Sequence, residues 1–408
     1  MAQDNIFSDL KVVDSASFIA GPAATTILSD FGATVVKIEP PGVGDPHRFS
    51  RFTPPFPVSE RDYSWQLTNR NKRSIALNLK DPAAHEVLER LVAWADVFVT
   101  NYPQKVRKTL GLDHETLAPM NDRLIYADIS GYGDHGPEAS KPGFDITAYW
   151  ARSGLMHVTH DLGSPPTIPI PGIGDHATAS TLYSAIVTGL YRREKTGKGC
   201  RVGTSLIGEG AWAASEFIEG ALNGGTFYPQ HDRKNPPNAL INPYSTADGR
   251  WLMLVVQNKD FPGLARAIGQ PALVEDPRFA DPKLREGNEA ALVDVLDRLF
   301  ASQPLAHWKK ALDDAGVIFS VVQDMQDVLN DPQMVANKIF MPVRDPSVGA
   351  KFTVSSPLQV AGVEKTEPRR APHLGEHSEE ILRELGFSTE QVDRLVSGAT
   401  VVPYREKA

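Results

Sequence analysis

The chain has little cysteine and no long apolar run. Its one cysteine, Cys200, has no partner for a disulfide within the chain. Such low thiol content is typical of a reducing compartment, and we expect a cytoplasmic location. No stretch approaches the ~20 consecutive apolar residues that span a membrane. The first residues include Asp4 and Asp9 and lack the apolar core of a secretory signal, so we expect neither membrane insertion nor secretion.

Excess positive charge and nucleotide-binding glycine motifs are also lacking. The sequence has 42 Lys and Arg against 50 Asp and Glu, a formal net charge of −8, which disfavours general binding to nucleic acid. The first predicted strand–helix turn lacks the three spaced glycines of a dinucleotide site, and no phosphate-loop pattern occurs elsewhere. Neither a nicotinamide cofactor nor a nucleoside triphosphate is therefore indicated.

Strands and helices alternate through the first part of the chain. Apolar or β-branched runs predict five strands, at 10–14, 34–39, 74–79, 97–99 and 124–129. With helical patterns between them, this alternation predicts an α/β fold with a doubly wound parallel sheet that helices cover on both faces. Because 408 residues are also many for one hydrophobic core, we expect two domains.

The ends of these strands predict a binding pocket. Ligands on doubly wound sheets bind beyond the carboxyl ends of the strands, which here are followed by residues 18–21, 79–80, 101–102 and 130–132. Nearby basic side chains favour a phosphate-rich anion as the ligand. They are Lys72, Arg73, Lys80, Lys105, Arg107 and Lys108. The alternative is a solvated charged face without a ligand.

The second part of the chain predicts a smaller α+β domain. A hairpin over 244–256 turns at Asp248 and Gly249, and helical patterns over 289–300 and 305–314 precede a strand at 318–322. The predicted division has four parts. They are the N-terminal part of the large domain (1–207), a linker helix (208–225), the small domain (226–335), and a linker with the C-terminal part of the large domain (336–408).

One short stretch, residues 171–176, combines a proline and two glycines before a predicted helix over 177–193 that ends at Gly197. Asp175 is therefore expected at a helix N-terminus, where the macrodipole favours an ionised carboxylate and free N–H groups are close. A carboxylate there can attack a thioester carbonyl and form a mixed anhydride, while N–H groups hold the oxyanion. The alternative is that Asp175 serves only as a helix N-cap.

Seven short segments, in their order and spacing, resemble the class III CoA-transferase family across nearly the whole chain. They are FIAGP at 18–22, NKRS at 71–74, NY at 101–102, GFD at 143–145, GD at 174–175, TGKG at 196–199 and LGEH at 374–377. The family includes formyl-CoA transferase, carnitine CoA-transferase and the α-methylacyl-CoA racemases.

The resemblance implies that Asp175 is the nucleophile. Its carboxylate would attack a donor acyl-CoA, pass through an aspartyl anhydride and an aspartyl-CoA thioester, and deliver CoA to a carboxylic acid acceptor. Because the thioester energy is retained, the resemblance implies no metal and no ATP, and it requires that water be excluded. The implied CoA contacts are Ile19, Ala20, Leu77, Asn78, Leu79, Lys80, Asn101, Tyr102, Ser130, Gly131 and Tyr132.

The sequence departs from formyl-CoA transferase near the implied site. A glutamine of that enzyme corresponds to Ile19, and two of its arginines correspond to Pro40 and Thr109. Arg107 is close in sequence to Thr109 and is our predicted CoA ligand in place of that second arginine. The glycine-run loop of that enzyme is replaced by residues 238–243. We therefore expect a donor other than formyl-CoA or oxalyl-CoA, and succinyl-CoA is common among the relatives.

The resemblance also implies an assembly. Family members have a large domain built from both chain ends and a smaller domain, and two such chains interlock as a homodimer. The long segments 40–66 and 208–225 suit such wrapping.

Two other functions stay open from the sequence. A racemase on the same scaffold needs a proton acceptor, and family racemases have histidine where this chain has Phe144, so the sequence favours transfer. The second is a CoA-binding protein without catalysis. Asp175 argues against it, because binding alone does not require a carboxylate at that position.

Overall fold

The structure is a computed structural model, and it describes residues 5–227, 232–344 and 350–406. The chain divides into two compact units. One comprises the described residues of Met1–Leu155, Ile168–Ile218 and Val335–Ala408, and the other those of Met156–Thr167 and Glu219–Met334. The four-part division at residues 207, 225 and 335 stays a prediction, and residues 228–231 and 345–349 of it lie outside the described residues.

The strands and helices are as follows. The strands are β1 (Lys11–Ser15), β2 (Thr34–Glu39), β3 (Arg73–Ala76), β4 (Val97–Thr100), β5 (Ile125–Ser130), β6 (Cys200–Ser205), β7 (Ile241–Ser245), β8 (Trp251–Val255), β9 (Phe319–Val321), β10 (Phe340–Pro342) and β11 (Phe352–Val354). The α-helices are α1 (Ala20–Asp30), α2 (Tyr63–Asn69), α3 (Ala84–Trp94), α4 (Gln104–Leu110), α5 (His114–Leu117), α6 (Leu155–Val158), α7 (Ile173–Thr196), α8 (Leu206–Ala213), α9 (Ser215–Leu222), α10 (Phe261–Ala267), α11 (Pro282–Arg285), α12 (Glu289–Phe300), α13 (Leu305–Asp314), α14 (Met325–Asn330), α15 (Pro332–Ala336), α16 (Ser378–Glu384) and α17 (Thr389–Ser397).

Six parallel strands form the sheet of the first unit, in the order β3-β2-β1-β4-β5-β6. In the central register, Val13 lies opposite Val36 on one side and Phe98 on the other. The order reverses between β1 and β4. In open α/β sheets a ligand crevice forms at such a reversal, outside the carboxyl ends of the strands.

Helices cover both faces of this sheet. Val12 and Val99 face a core shared with α1 and α7, while Val13 and Phe98 face a core shared with α3, α16 and α17. Consecutive strand residues point to opposite faces, so a strand that is buried on both sides places apolar residues at successive positions, as Val12 and Val13 do. The predicted doubly wound sheet is therefore found, and the C-terminal helices join the N-terminal strands in one core.

The structure corrects several predicted bounds. Strand β6 was not predicted, because this edge strand is only half buried and carries arginine, glycine, threonine and serine after Cys200. The helix expected over 177–193 runs from Ile173 to Thr196 and ends, as predicted, at Gly197 with φ 73°. The long segment 40–66 contains a 3₁₀ helix, Pro46–Phe52, and the start of α2.

The second unit has its own sheet and core. Strands β7, β8 and β9 pair antiparallel, and the β7–β8 hairpin turns at the predicted Asp248-Gly249. Tyr244, Phe300 and Trp308 are buried at its centre. The ring centroids of Tyr244 and Phe300 are 5.3 Å apart, and those of Phe300 and Trp308 are 5.1 Å apart. The smaller unit is thus α+β. Among the described residues of the whole chain, no helix is long and apolar enough to cross a membrane.

Candidate active site

The N-terminus of α7 carries Asp175. Gly172 occupies the N-cap position of this helix, and its φ of 93° lies in the left-handed region that glycine adopts without strain. Asp175 is the third residue of the helix, and it accepts no capping hydrogen bond there. The N-cap interpretation of Asp175 is therefore wrong. The carboxylate instead lies in the first helical turn, where the dipole favours negative charge.

A second carboxylate, from Asp145, caps the helix. Asp145 begins a π-helical turn, Asp145–Ala151, and its side chain is buried. Its Oδ2 accepts a hydrogen bond from the N–H of Gly172 at 2.5 Å, and its Oδ1 accepts one from the N–H of Gly174 at 3.1 Å. These bonds satisfy two N–H groups that the helix leaves unpaired. In the sequence, Asp145 stands out only as part of the GFD motif, and this contact was not predicted.

Gly174 makes the close approach of Asp145 possible. A Cβ atom at this position would lie 2.3 Å from Oδ1 of Asp145 and 2.3 Å from Cγ of Tyr149. Both neighbours are buried and neither distance is tolerated between non-bonded atoms. The glycine before Asp175 is therefore required by packing, and it fixes the helix start against the turn that carries Asp145.

The electrostatic surroundings of Asp175 raise its pKa to about 7. Desolvation by the surrounding protein is the larger cause, and repulsion from Asp145 is the second. The adjacent His176 does not oppose this, because burial and then the charge of Arg70 lower its own pKa. Within the part of the chain that the structure describes, the Asp175 carboxylate has no hydrogen-bond or ion-pair partner. It is therefore available to a substrate.

The turn after β1 lies beside this helix start. Cδ1 of Ile19 would be 3.1 Å from a Cβ at Gly172, so the predicted contact residue Ile19 lies against the N-terminus of α7. Ala20 follows as the first residue of α1. Asn101, at the end of β4, holds the turn: its Oδ1 accepts from the N–H of Ser17 at 2.8 Å, and its Nδ2 donates to the carbonyl of Ser17 at 2.7 Å.

Buried charged residues also stabilise the turn after β1. Lys37 donates to the carbonyl of Ala16 at 2.5 Å and lies 3.1 Å from Asp45, whose other oxygen accepts from the N–H of Phe18 at 3.0 Å. Lys72 donates to Asp14 at 2.8 Å. Lys72 was predicted among the basic residues near the ligand. It is in fact inside the protein, where burial lowers its pKa to about 8 and Asp14 neutralises its charge.

A cleft of about 650 Å³ lies at the carboxyl ends of β2, β3 and β4. It brings together five of the predicted CoA contacts, namely Leu77, Asn78, Leu79, Lys80 and Tyr102. Pro40, Pro41 and Gly42 form another part of its wall. Lys80 is exposed and has no ion-pair partner among the described residues. Among its described residues, the cleft therefore offers apolar walls and one available cation, Lys80.

The three predicted contacts after β5 lie elsewhere along the sheet edge. Ser130 accepts a hydrogen bond from the N–H of Gly133 at 3.0 Å. A Cβ at Gly131 would lie 2.9 Å from Cα of Gly143, so this glycine packs on the segment that leads to Asp145. Lys141 and Arg152 lie over the ring of Tyr132, at 5.3 and 5.6 Å from its centroid. These residues adjoin the Asp145 turn and do not line the 650 Å³ cleft.

Arg107 is buried in an internal ion pair, whereas a residue that binds a phosphate of CoA must be accessible to it. Its side chain is buried and lies 2.6 Å from Asp128 and 3.5 Å from Asp134. Its charge is therefore already compensated inside the protein, and it does not line the cleft. The assignment of Arg107 to CoA stays a prediction that this geometry does not favour.

Comparison with known proteins identifies the class. The family described as CoA-transferase family III matches residues 7–378, and the chain belongs to that family. It is similar to cinnamoyl-CoA:phenyllactate CoA-transferase of Clostridium sporogenes, with 31% identity over 99% of this chain and 99% of that protein. It is also similar to human succinyl-CoA:glutarate CoA-transferase, with 32% identity over 96% of this chain and 89% of that protein.

Solved structures agree with this class. A CAIB/BAIF family protein from Brucella suis has 28% sequence identity and a TM-score of 0.82, over 94% of this chain and 100% of that one. The predicted membership in the class III CoA-transferases is confirmed, and the chain is a CoA-transferase that acts on acyl-CoA. Within the described ranges, no group of three or more His, Cys, Asp or Glu is arranged to hold a metal ion.

Proposed function

We propose that this enzyme moves CoA from a donor acyl-CoA to a carboxylic acid through covalent intermediates on Asp175. The observation that carries the proposal is the state of that carboxylate. It has no protein partner among the described residues, lies in the first turn of α7, and has its pKa raised to about 7. A carboxylate with a raised pKa is more basic and hence a better nucleophile, while a useful fraction stays ionised at neutral pH.

The proposed route has four acyl transfers. The Asp175 carboxylate attacks the donor thioester carbonyl, so that a C–O bond forms, the C–S bond breaks, and CoA leaves as thiolate. The thiolate attacks the Asp175 carbonyl of the anhydride, which releases the donor acid and leaves an aspartyl-CoA thioester. The acceptor carboxylate attacks that thioester and expels thiolate again. The thiolate then attacks the acceptor carbonyl, which gives the new acyl-CoA and restores the Asp175 carboxylate.

Each transfer develops negative charge on a carbonyl oxygen. Of the N–H groups in the first turn of α7, those of Gly172 and Gly174 are bonded to Asp145. The N–H groups of Ile173 and Asp175 have no partner within the helix, because the first turn has no preceding carbonyls. We expect these two groups, with the helix dipole, to stabilise the oxyanions.

The 650 Å³ cleft supports a place for CoA at the carboxyl ends of the sheet. Its apolar walls suit the adenine and pantetheine portions, and Lys80 at its edge suits a phosphate. From there the chain of the cofactor would pass Asn101 and Ile19 toward Asp175, with Ala20, Ser130, Gly131 and Tyr132 along the same sheet edge. The reaction needs no metal, since the thioester supplies the free energy.

The expected donor is succinyl-CoA and the acceptor another carboxylic acid. Names of similar proteins support this pairing, including succinyl-CoA:glutarate CoA-transferase of human and succinyl-CoA–D-citramalate CoA-transferase of Chloroflexus aurantiacus. We further propose that the enzyme works in the cytoplasm as an interlocked homodimer, as the family resemblance implies.

Racemisation on the same scaffold is less well supported. Phe144 occupies the position where the family racemases have a basic histidine. Its exposed ring packs against Phe18, with centroids 5.7 Å apart, and it has no group that accepts a proton. A non-catalytic CoA-binding function gives no reason for the arrangement around Asp175.

Asp175→Asn tests the proposal. We expect it to reduce transfer of CoA from succinyl-CoA to a panel of acids by at least about a thousandfold. Its affinity for CoA, measured by calorimetry, should change less than about threefold. Full turnover by this variant would contradict the covalent route. Loss of CoA binding together with turnover would show that Asp175 has a binding role instead.

A further inference from the structure

A second cavity, of about 290 Å³, lies at the opposite end of β3 from the cleft. Its wall includes Asn71 and Arg73, which begin or precede the strand, and Arg344, Arg369, Glu376 and His377 from the C-terminal segment. All of these residues belong to the first unit. None of them lines the 650 Å³ cleft or contacts Asp175.

Two arginines on this wall are direct neighbours. Arg344 and Arg369 are partners in a parallel β-bridge, and the N–H of Arg344 donates to the carbonyl of Pro368 at 2.7 Å. Paired strand positions project to the same side, where like charges directly opposite are unfavourable. Neither guanidinium has an acidic partner in the ranges the structure describes, and Nη2 of Arg369 donates to the carbonyl of Asn71 at 3.4 Å. An anion between them would remove this repulsion.

Asn71 supplies a third, independent indication. Its side chain is only 6% exposed, and its backbone φ is 65°. The Oδ1 atom accepts from the N–H of Arg369 at 2.7 Å, which fixes the orientation of the amide. The Nδ2 atom is buried and has no hydrogen-bond partner among the described residues. A buried donor without a partner is costly, so a ligand acceptor is expected there.

The other cations of the wall already have acidic partners, and Lys72, which also lines the cavity, pairs with Asp14 at 2.8 Å. Arg73 pairs with Glu384 at 2.8 Å and Glu380 at 3.0 Å. Arg370 pairs with Glu376. Nδ1 of His377 accepts from the N–H of Ser74 at 3.3 Å, and burial lowers the pKa of this histidine, so it is a neutral donor through Nε2. Arg344 and Arg369 are therefore the two cations of this wall that have no acidic partner among the described residues.

We propose that this cavity binds a phosphate dianion, held by the guanidiniums of Arg344 and Arg369 and by Nδ2 of Asn71. A phosphate dianion can pair with both guanidiniums, and the planar donor forks of arginine fit its oxygens. The bound anion joins the C-terminal segment to the start of β3. The site is separate from the site of catalysis, and it does not depend on the proposed function.

Titration calorimetry tests the site, with inorganic phosphate added to the full chain already saturated with CoA. Saturation blocks phosphate subsites that belong to CoA. We expect phosphate to bind, and the double variant Arg344→Gln/Arg369→Gln to bind it at least about a hundredfold more weakly, since each charged hydrogen bond contributes about tenfold. Arg278→Gln, which removes an exposed arginine of the second unit, is the matched control and should bind like the wild type.

A second variant and a second probe sharpen the test. Asn71→Asp keeps the acceptor for Arg369 but replaces the donor with a negative oxygen, so phosphate binding should be lost while circular dichroism stays unchanged. Adenosine 3′-phosphate in place of inorganic phosphate tells whether the dianion can be part of a nucleotide. Absence of phosphate binding, equal binding by all variants, or complete displacement by CoA would overturn the proposal.

Discussion

Asp145 binds the start of the helix that carries Asp175, and its negative charge also repels the Asp175 carboxylate. The Asp145 carboxylate accepts hydrogen bonds from Gly172 and Gly174, on either side of the first helical residue. The same negative charge contributes, after desolvation, to the raised pKa of Asp175. One buried side chain thus fixes the position of the proposed nucleophile and keeps it basic. We regard Asp145 as a positioning residue.

Asp145→Asn should move the pH profile of the reaction. In the wild type, only the ionised Asp175 attacks, so kcat should rise with pH through about 7, and at pH 6 it should be about a tenth of its plateau. Removal of the neighbouring negative charge lowers the pKa of Asp175. The rise should therefore shift to lower pH, and the plateau should fall because the nucleophile is less basic. The measurement is kcat between pH 5 and 9.

The control for this profile is Asp9→Asn, which removes an exposed carboxylate of the same unit. It should leave the midpoint unchanged. A profile of Asp145→Asn with the wild-type midpoint and only a lower plateau would mean that Asp145 has a purely structural role.

Gly174→Ala should damage both stability and activity. The added methyl group would lie 2.3 Å from Asp145 and from Tyr149, so the start of α7 must shift. We expect a loss of about 1–3 kcal/mol in the free energy of unfolding. We also expect a fall of about a hundredfold in kcat, because the nucleophile is displaced. Chemical denaturation and steady-state kinetics measure the two effects.

Gly220→Ala is the matched substitution for this test. Gly220 is also within a helix, and a Cβ there would meet no atom within 4 Å. Alanine favours helix more than glycine, so this variant should be equally stable or up to about 1 kcal/mol more stable. Equal behaviour of the two variants would refute the packing argument for Gly174.

Lys80→Gln should weaken the use of acyl-CoA. Lys80 is exposed at the edge of the 650 Å³ cleft and has no ion-pair partner among the described residues. If it contacts a CoA phosphate, its loss raises KM for the donor by about tenfold, and kcat changes little because the contact is far from the reacting carbonyl. Higher salt should reduce the difference between variant and wild type.

The matched control is Lys283→Gln, which removes an exposed lysine of the second unit. Its KM should stay at the wild-type value. An unchanged KM in Lys80→Gln would move the CoA phosphates away from this edge of the cleft.

Local sequence pattern predicts much of the sheet. Strands β1, β2, β4 and β5 are buried on both faces, so each contains adjacent apolar or β-branched residues, although Asp14, Lys37 and Asp128 are buried charges within three of them. Strand β6 is not predicted from the sequence because it lies at an edge of the sheet and carries polar residues. The first turn of α7 is not predicted because Gly172 and Gly174 have a low helix propensity. In the structure, hydrogen bonds to the Asp145 carboxylate stabilise that turn.

The candidate site is predictable only in part, because some of its contacts join residues that are distant in sequence. Asp175 stands out through its turn glycines and through the family motif. The role of Asp145 depends on a contact across 27 residues of sequence, and the pairing of Lys72 with Asp14 on one across 58. Such contacts leave no periodic trace in a single sequence. Charge near a strand end therefore indicated ligand binding for Lys72 and Arg107, where the structure has internal ion pairs.

The most direct test of covalent transfer is intact-protein mass spectrometry after the enzyme is mixed with succinyl-CoA and hydroxylamine. Hydroxylamine converts an activated carboxyl into a hydroxamate. We predict one hydroxamate, which peptide mapping assigns to Asp175 and which is missing from Asp175→Asn. Turnover of succinyl-CoA without any modified carboxyl, or a hydroxamate at another residue, would contradict the proposed role of Asp175.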